Sequence, residues 1–339
     1  MKKIAQSLGR IALLLVIILG IVFGGYWFWS PGLEVNDGRF DLQQNGIWLQ
    51  HGWLGSDVWF KRNQRDKNKF RSAEKIDELF VQLEKYHIKY IYPHLCPTAY
   101  SGEIPNVDSE QTKMFLQLSE KYKIKTLPWV GGVFGGQVML SSKKWRANFV
   151  QSIMKLLEKY PRMAGIQLNI EPLPDKNKDF ILLLKELRAV FPKDKILSIA
   201  AYPPPTRLHQ YKTVHWSMEY YSQMAPYVDQ MAVMMYDTAI KYDKFYVSLM
   251  TSWTKQLLNN SELQKYNVKL LLGLPAYNDA HTAYHNPKVE NLKNALLGIN
   301  NALNSQKNLK KNYQGTAIYC EWEMDSDKWK IYQKNFLKK

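Results

Sequence analysis

A recurrence constrains this chain more than any single motif does. From residue 46 onward a strand-like apolar run is followed by a helical or partly helical segment about eight times, with strand starts roughly 30–50 residues apart. The strand-like runs are residues 46–53, 88–95, 124–130, 163–172, 195–202, 228–237, 268–277 and 315–323. Between them lie helical patterns such as 72–86, where Ile76, Leu79, Phe80 and Leu83 recur at i, i+3, i+4, i+7 behind Ser72 as N-cap. Further helices are expected over 108–122, 142–160 and 179–191. Asn286 with Pro287 at the first helical position is expected to open one carrying Val289, Leu292, Leu296 and Ile299. Units of this kind build a parallel sheet covered by helices, and about eight of them close it into a barrel. The expected fold is therefore α/β, a single (β/α)8 TIM barrel over residues 46–339, joined by a loop-like linker (30–45) to what precedes it.

What precedes it is apolar. Residues 11–29 carry no charge and are long enough to cross a hydrocarbon core at about 1.5 Å per residue. Lys2, Lys3 and Arg10 come before this run, and Glu34 is the first charge after it. The positive-inside rule then places residues 1–10 in the cytoplasm and the barrel outside, at the cell membrane, with a single span. Tyr26, Trp27 and Trp29 fall where an outer aromatic belt would lie. A cleaved signal peptide is the rival reading; Ser30 and Gly32 have suitable spacing, but the bulky aromatics and Pro31 argue against cleavage.

The chain has 46 Lys+Arg against 30 Asp+Glu, a formal net charge of +16. That balance suits anionic lipid headgroups or acidic surface polymers, or simply solubilises Lys-rich helices. No nucleic-acid motif is present, and none is expected of an exported domain. Cys96 and Cys320 are too few for a disulfide framework; they either pair or remain buried thiols.

The fourth strand, 163–172, alternates strictly. Ile166, Leu168 and Ile170 share one face, and Gln167, Asn169 and Glu171 share the other. Three polar side chains on one face need partners or a water-filled pocket, which a barrel interior and its mouth supply. A barrel gathers the C-terminal ends of its strands, so the residues there should converge. They are His51 and Trp53, His94, Asn169 and Glu171, Tyr202, Met234, Tyr236 and Asp237, Tyr277 and Asn278, then Glu321, Trp322 and Glu323. Aromatics that stack on sugar faces beside carboxyls and amides suit a carbohydrate better than a phosphate. Gly131, Gly132, Gly135 and Gly136 match no phosphate-loop spacing.

At these positions the chain resembles family-18 glycoside hydrolases, the chitinase-like barrels. Their fourth strand ends in Asp-x-x-Asp-x-Asp-x-Glu, where this chain has Ala164, Gln167, Asn169 and Glu171. Met234, Tyr236 and Asp237 match their Met-x-Tyr-Asp, and Gly273, Pro275 and Tyr277 match Gly-x-Pro-x-Tyr. Their eighth strand begins with Gly, here Gly315, and carries a Trp that floors the sugar site; Cys320 falls at that position, with Trp322 two residues on. The resemblance implies that Glu171 is the proton donor. It also implies that the substrate's N-acetyl group is the nucleophile, an exception to the two-carboxylate scheme. Asn169 stands where the family has an Asp that orients the acetamide; family-85 endo-β-N-acetylglucosaminidases use an Asn/Glu pair there.

Three readings follow. The first is an anchored glycosidase acting on an N-acetylhexosamine polymer without a cofactor: Glu171 is acid and base, Asn169 and Tyr236 hold the acetamide, Asp237 binds a hydroxyl or the acetamide, and Trp322 is the floor. Gln167, His51, Trp53, His94, Tyr202, Met234, Tyr277, Glu321 and Glu323 complete the expected substrate contacts. The second is an inactive glycan-binding or scaffold barrel. The third is metal-dependent hydrolysis through His51 and His94 with Asp57 or Glu171, for which no ligand spacing is present. His209, His215, His281 and His285 are expected at the surface.

Overall fold

The computed structural model describes residues 2–55, 57–95, 98–104, 107–206, 214–279 and 282–338. Its strands are β1 (Asn45–Leu49), β2 (Ile88–Pro93), β3 (Lys125–Thr126), β4 (Trp129–Val133), β5 (Gly165–Glu171), β6 (Ile196–Ala201), β7 (Gln230–Val233), β8 (Lys269–Pro275) and β9 (Tyr313–Tyr319). They form one parallel sheet in the order β3-β2-β1-β9-β8-β7-β6-β5-β4. β3 and β4 are halves of a single strand, the third of the expected eight. Pro128 interrupts it, since proline has no N–H for the ladder. Leu127 N donates to Ile91 O (2.9 Å) and Leu95 N to Trp129 O (2.8 Å) on one side. Ala164 N donates to Thr126 O and Gln167 N to Pro128 O (both 2.9 Å) on the other. The two ends of the strand order therefore meet in one stretch of chain, and the (β/α)8 barrel closes.

Ser72 caps its helix as expected, its hydroxyl accepting from Lys75 N at 3.0 Å. Several expected boundaries move inward because tight turns re-aim the strand ends. The first strand stops at Leu49 and turns through a 3-10 segment, His51–Trp53; the last stops at Tyr319 before another, Glu321–Glu323. The third continues past its expected end at residue 130, through Gly131 and Gly132, to Val133. Pro287 does not open a helix. Glu290 is drawn inward to accept the Thr238 N–H (3.2 Å), so the helix starts only at Leu292, capped by Asn291.

The barrel interior is polar in its middle layers. Trp48 Nε1 donates to Gln167 Oε1 (2.7 Å), and Gln167 Nε2 donates to Ser198 Oγ (3.3 Å). Tyr92 OH donates to Gln230 Oε1, Gln230 Nε2 to Gln314 Oε1, and Gln314 Nε2 to Tyr90 OH, each at 2.8 Å. Side chains that satisfy one another across the barrel make alternating strands compatible with burial. At the N-terminal end of the strands the carboxylate of Asp41, itself buried, takes the Asn45 amide (2.9 Å) and the Lys338 N–H (3.2 Å), and Tyr313 OH donates to Phe40 O (3.0 Å). The segment expected as a loose linker is thus part of the fold.

Ahead of it stands the helix Lys2–Phe28. Its stretch Ser7–Phe28 has mean hydropathy 2.5 over an 18-residue window, none of which is buried. An exposed apolar helix of that length near the N-terminus marks a chain for export or for membrane anchoring.

Candidate active site

The site is built at the C-terminal ends of β2, β4 and β5. Asn169 and Glu171 project from β5 into a cavity of about 280 Å³ that they line with His94, Trp129, Gly132, Val133 and Gln137. β4 can lie this close to β5 only because residue 131 is glycine: its φ is +132°, and a Cβ there would sit 2.0 Å from Asn169 O. Tyr202 at the end of β6 donates its hydroxyl to Glu171 Oε2 (3.2 Å). Burial pushes the Glu171 carboxyl above the usual range; bonds from Asn169 and Tyr202 pull it down, and the Asp237 charge pushes it further up.

Buried polar atoms at this end of the barrel without a hydrogen-bond partner among the described residues include Asn169 Oδ1, Gln137 Oε1, Tyr236 OH and His51 Nδ1. Unsatisfied buried polar atoms are rare in folded proteins, and a cluster of them marks a place for a ligand or water. A larger cleft of about 500 Å³ lies on the flank against the helix Lys143–Lys159. None of its lining side chains carries such an atom, so the chemistry belongs to the smaller cavity.

An aromatic wall borders the cavity, and Tyr319 is its hub. Its ring lies 5.4 Å from Tyr236 (21° between planes), 5.3 Å from Tyr277, 6.4 Å from Trp129 and 5.7 Å from Trp322. Trp322 is 39% exposed and presents a free aromatic surface beside it. Asp237, in a left-handed backbone conformation with φ 61°, is held by the Tyr277 hydroxyl and lies 3.3 Å from His285 Nδ1. His285 stacks on Tyr277 at 3.9 Å and has Glu290 Oε2 3.8 Å away. Burial pushes the His285 imidazole down, but Asp237 and Glu290 outweigh it and raise it to about 9. Asp237, His285 and Glu290 are spaced closely enough to hold a cation. A protonated His285 between the two carboxylates offsets one of their two charges and leaves a net negative charge there, while Glu290 is committed to the Thr238 N–H.

The other expected residues divide. His51 and His94 come together edge to face at 5.6 Å, and burial lowers both to about 4, with His94 adding to the effect on His51. Both are neutral near pH 7. Asp57 is held by Arg71 (2.8 Å), not by the histidine pair. Gln167 is fully buried and its amide is spent on Trp48 and Ser198, so it belongs to the barrel interior rather than the cavity wall. Trp53 is buried against Phe70 and Phe115, with its N–H on Glu321 Oε2 (3.4 Å). Glu323 accepts from Asn278 Nδ2 (3.4 Å), and Met234 is buried. His215 and His285 are buried rather than at the surface; His209, His281 and Cys96 lie outside the described residues, and Cys320 is a buried thiol.

Trp129, Gln137, Tyr319, His285 and Glu290 are absent from the sequence-derived set. Tyr319 shares strand parity with Glu321, and Trp129 precedes the glycine pair, so either is reachable from the strand-end rule once the strand boundaries are right. His285 and Glu290 come from a turn and leave no periodic trace.

The sequence profile of Glycosyl hydrolases family 18 matches residues 60–336. The chain belongs to this family. No curated protein sequence matches it. Among solved structures, the Bacillus cereus spore cortex-lytic enzyme SleL is 11% identical over 86% of this chain and 74% of that one, with TM-score 0.57. A class V chitinase from Pseudomonas fluorescens Pf-5 is 13% identical over 86% and 99%, with TM-score 0.56. A fungal family-18 endo-β-N-acetylglucosaminidase is 13% identical over 86% and 96%, with TM-score 0.54. At such identities the likeness is one of fold. Family 18 is a family of glycosidases, and in a barrel of this kind the reactive residues sit at the C-terminal mouth, where Glu171 lies.

The same mouth carries a second displaced carboxyl. Burial raises Glu321 to about 7, against the opposing bonds from Trp53 and from the Gln50 backbone. A carboxyl raised in the folded state contributes stability that is full below its unfolded pKa and lost as pH rises through its folded one. Between about pH 4.5 and about pH 7 the wild-type Tm is therefore expected to fall by more than that of Glu321→Gln, as differential scanning fluorimetry across that window would report.

Proposed function

We propose that this chain is a membrane-anchored, exported glycosidase that cleaves an N-acetylhexosamine-containing polysaccharide by a substrate-assisted, retaining route. The observation that carries the reading is the Asn169–Glu171 pair. A half-buried carboxyl with a raised pKa stands beside an amide whose Oδ1 is buried and unpartnered. The neighbours' names, chitinase and endo-β-N-acetylglucosaminidase, support an N-acetylglucosamine type of substrate.

In this mechanism the substrate's acetamide oxygen attacks its own anomeric carbon while the bond to the leaving oxygen breaks. Glu171 gives its proton to that oxygen. Asn169 Oδ1 accepts the acetamide N–H and holds the group in line, and the Tyr236 hydroxyl donates to the acetamide oxygen. The positive charge that forms on the ring and acetamide is offset by Asp237, which Tyr277 and His285 hold in place. Glu171, now a carboxylate, takes a proton from water, and that water opens the cyclic intermediate with net retention. Tyr319 and Trp322 supply the apolar floor for the sugar. The apolar run at residues 11–29 anchors the enzyme, with Tyr26, Trp27 and Trp29 at the outer interface.

The test is reducing-end release by the full chain in detergent on chitin fragments, peptidoglycan and poly-N-acetylglucosamine, with the first-formed anomer read by proton NMR. A β product from a β-linked polymer is expected. An α product first would sink the retaining route.

A further inference from the structure

The point at which the N-terminal helix meets the barrel carries information about how the enzyme sits on a membrane. The contact is at the C-terminal, mouth side. The helix Asp243–Leu258 follows β7 and begins at the rim of the mouth. Its first turn receives the end of the N-terminal helix: Tyr26 OH donates to Asp243 Oδ1 (2.9 Å), and Lys244 Nζ donates to Tyr26 O (2.8 Å) and Trp27 O (2.9 Å). The Tyr26 ring packs on Tyr242 (5.9 Å) and Phe245 (5.6 Å), and Trp29 packs on Phe245 (5.7 Å).

From there the chain descends the outside of the barrel. Asn301 Nδ2 donates to Pro31 O (2.8 Å) and Asn300 Nδ2 to Val35 O (3.3 Å), both from the lower half of the helix Leu292–Asn304. It ends with Phe40 and Asp41 under the barrel. The linker is therefore fastened along its length, and the rim has little freedom to swing away from the anchor.

Tyr242 and Phe245 do not close over Tyr26. They remain 58% and 45% exposed, beside Trp27 at 79% and the exposed Lys241. Aromatic rings next to lysines are the composition of a membrane–water interface, and here they continue the aromatic end of a helix long enough to cross a bilayer.

We propose that Tyr242 and Phe245 form a second membrane contact, which seats the mouth-side rim of the barrel on the outer leaflet. The cavity then opens beside the lipid headgroups, and the glycan that enters it is one lying close to the membrane. This rests on the reading of the N-terminal helix as a membrane anchor, and the test separates the two.

The photocrosslinker p-benzoylphenylalanine is placed in the full-length chain, in phospholipid nanodiscs, at position 16 in the helix, at 242 and 245 on the rim, or at 309 at the opposite end of the barrel. Lipid adducts are expected at 16, and at 242 and 245 several-fold above those at 309. Adducts at 16 with 242 and 245 no higher than 309 would leave the anchor standing and remove the seat. Adducts at 309 but not at the rim would invert the orientation and overturn the proposal. Absence of adducts at 16 would overturn the anchor and the seat together.

Discussion

Glu171→Gln is expected to lower kcat on an N-acetylhexosamine polymer by about 10²–10⁴-fold, the range that positioned proton transfer contributes, with oligosaccharide binding largely kept. Glutamine preserves the side-chain shape and an oxygen for the Tyr202 hydroxyl, but it has no proton to give the leaving group. Steady-state kinetics with calorimetric binding of a short oligosaccharide separates the two effects. The pH profile follows from the same residue. Burial raises its pKa, so the acid form persists to higher pH than an exposed glutamate would allow, and wild-type kcat should fall as pH rises through that raised value. If the wild type binds sugar tightly without turnover, and Glu171→Gln binds equally well, the barrel is a glycan-binding protein that lacks the reaction.

Asn169→Ala should cost about 10²–10³-fold in kcat, the scale of removing one well-placed group that steadies a transition state. The loss should be confined to substrates that carry the acetamide. A de-N-acetylated polymer has no internal nucleophile and should be inert to wild type and variant alike; equal cleavage of both polymers by the wild type would rule out substrate assistance. Asn169→Asp gives the complementary reading. A carboxylate at that position would add a negative charge beside Glu171 and raise its pKa further. The alkaline limb of the pH–rate profile should then move upward.

The extent to which the sequence disclosed this protein differs between fold and site. The repeated strand-then-helix period was enough for the barrel, because burial of alternating or continuous apolar strands under amphipathic helices is a local property that each unit writes for itself. The parity of Gln167, Asn169 and Glu171 likewise placed three side chains on the interior face, since strand geometry leaves no other choice. The N-terminal helix and its aromatic end needed only composition.

Tertiary structure decided which of these residues share a cavity. Gln167 and Asn169 are chemically alike and two positions apart, yet one amide is used up by Trp48 and Ser198 while the other keeps an unpartnered oxygen. That outcome depends on what the opposite strands present at each height. Trp53 sinks beneath Glu321 because a 3-10 turn, not a strand, follows Leu49. Tyr319, rather than Cys320 or Trp322 alone, becomes the centre of the aromatic wall because its strand ends there. His285 and Glu290 reach Asp237 through a turn with no period to detect. The sequence by itself thus determined the barrel, its interior face and the acid at the end of its fourth strand, all consequences of interactions close along the chain. The partners of that acid, its raised pKa and the position of the N-terminal helix at the mouth come from contacts between residues far apart in sequence, and only closure of the barrel brings those together.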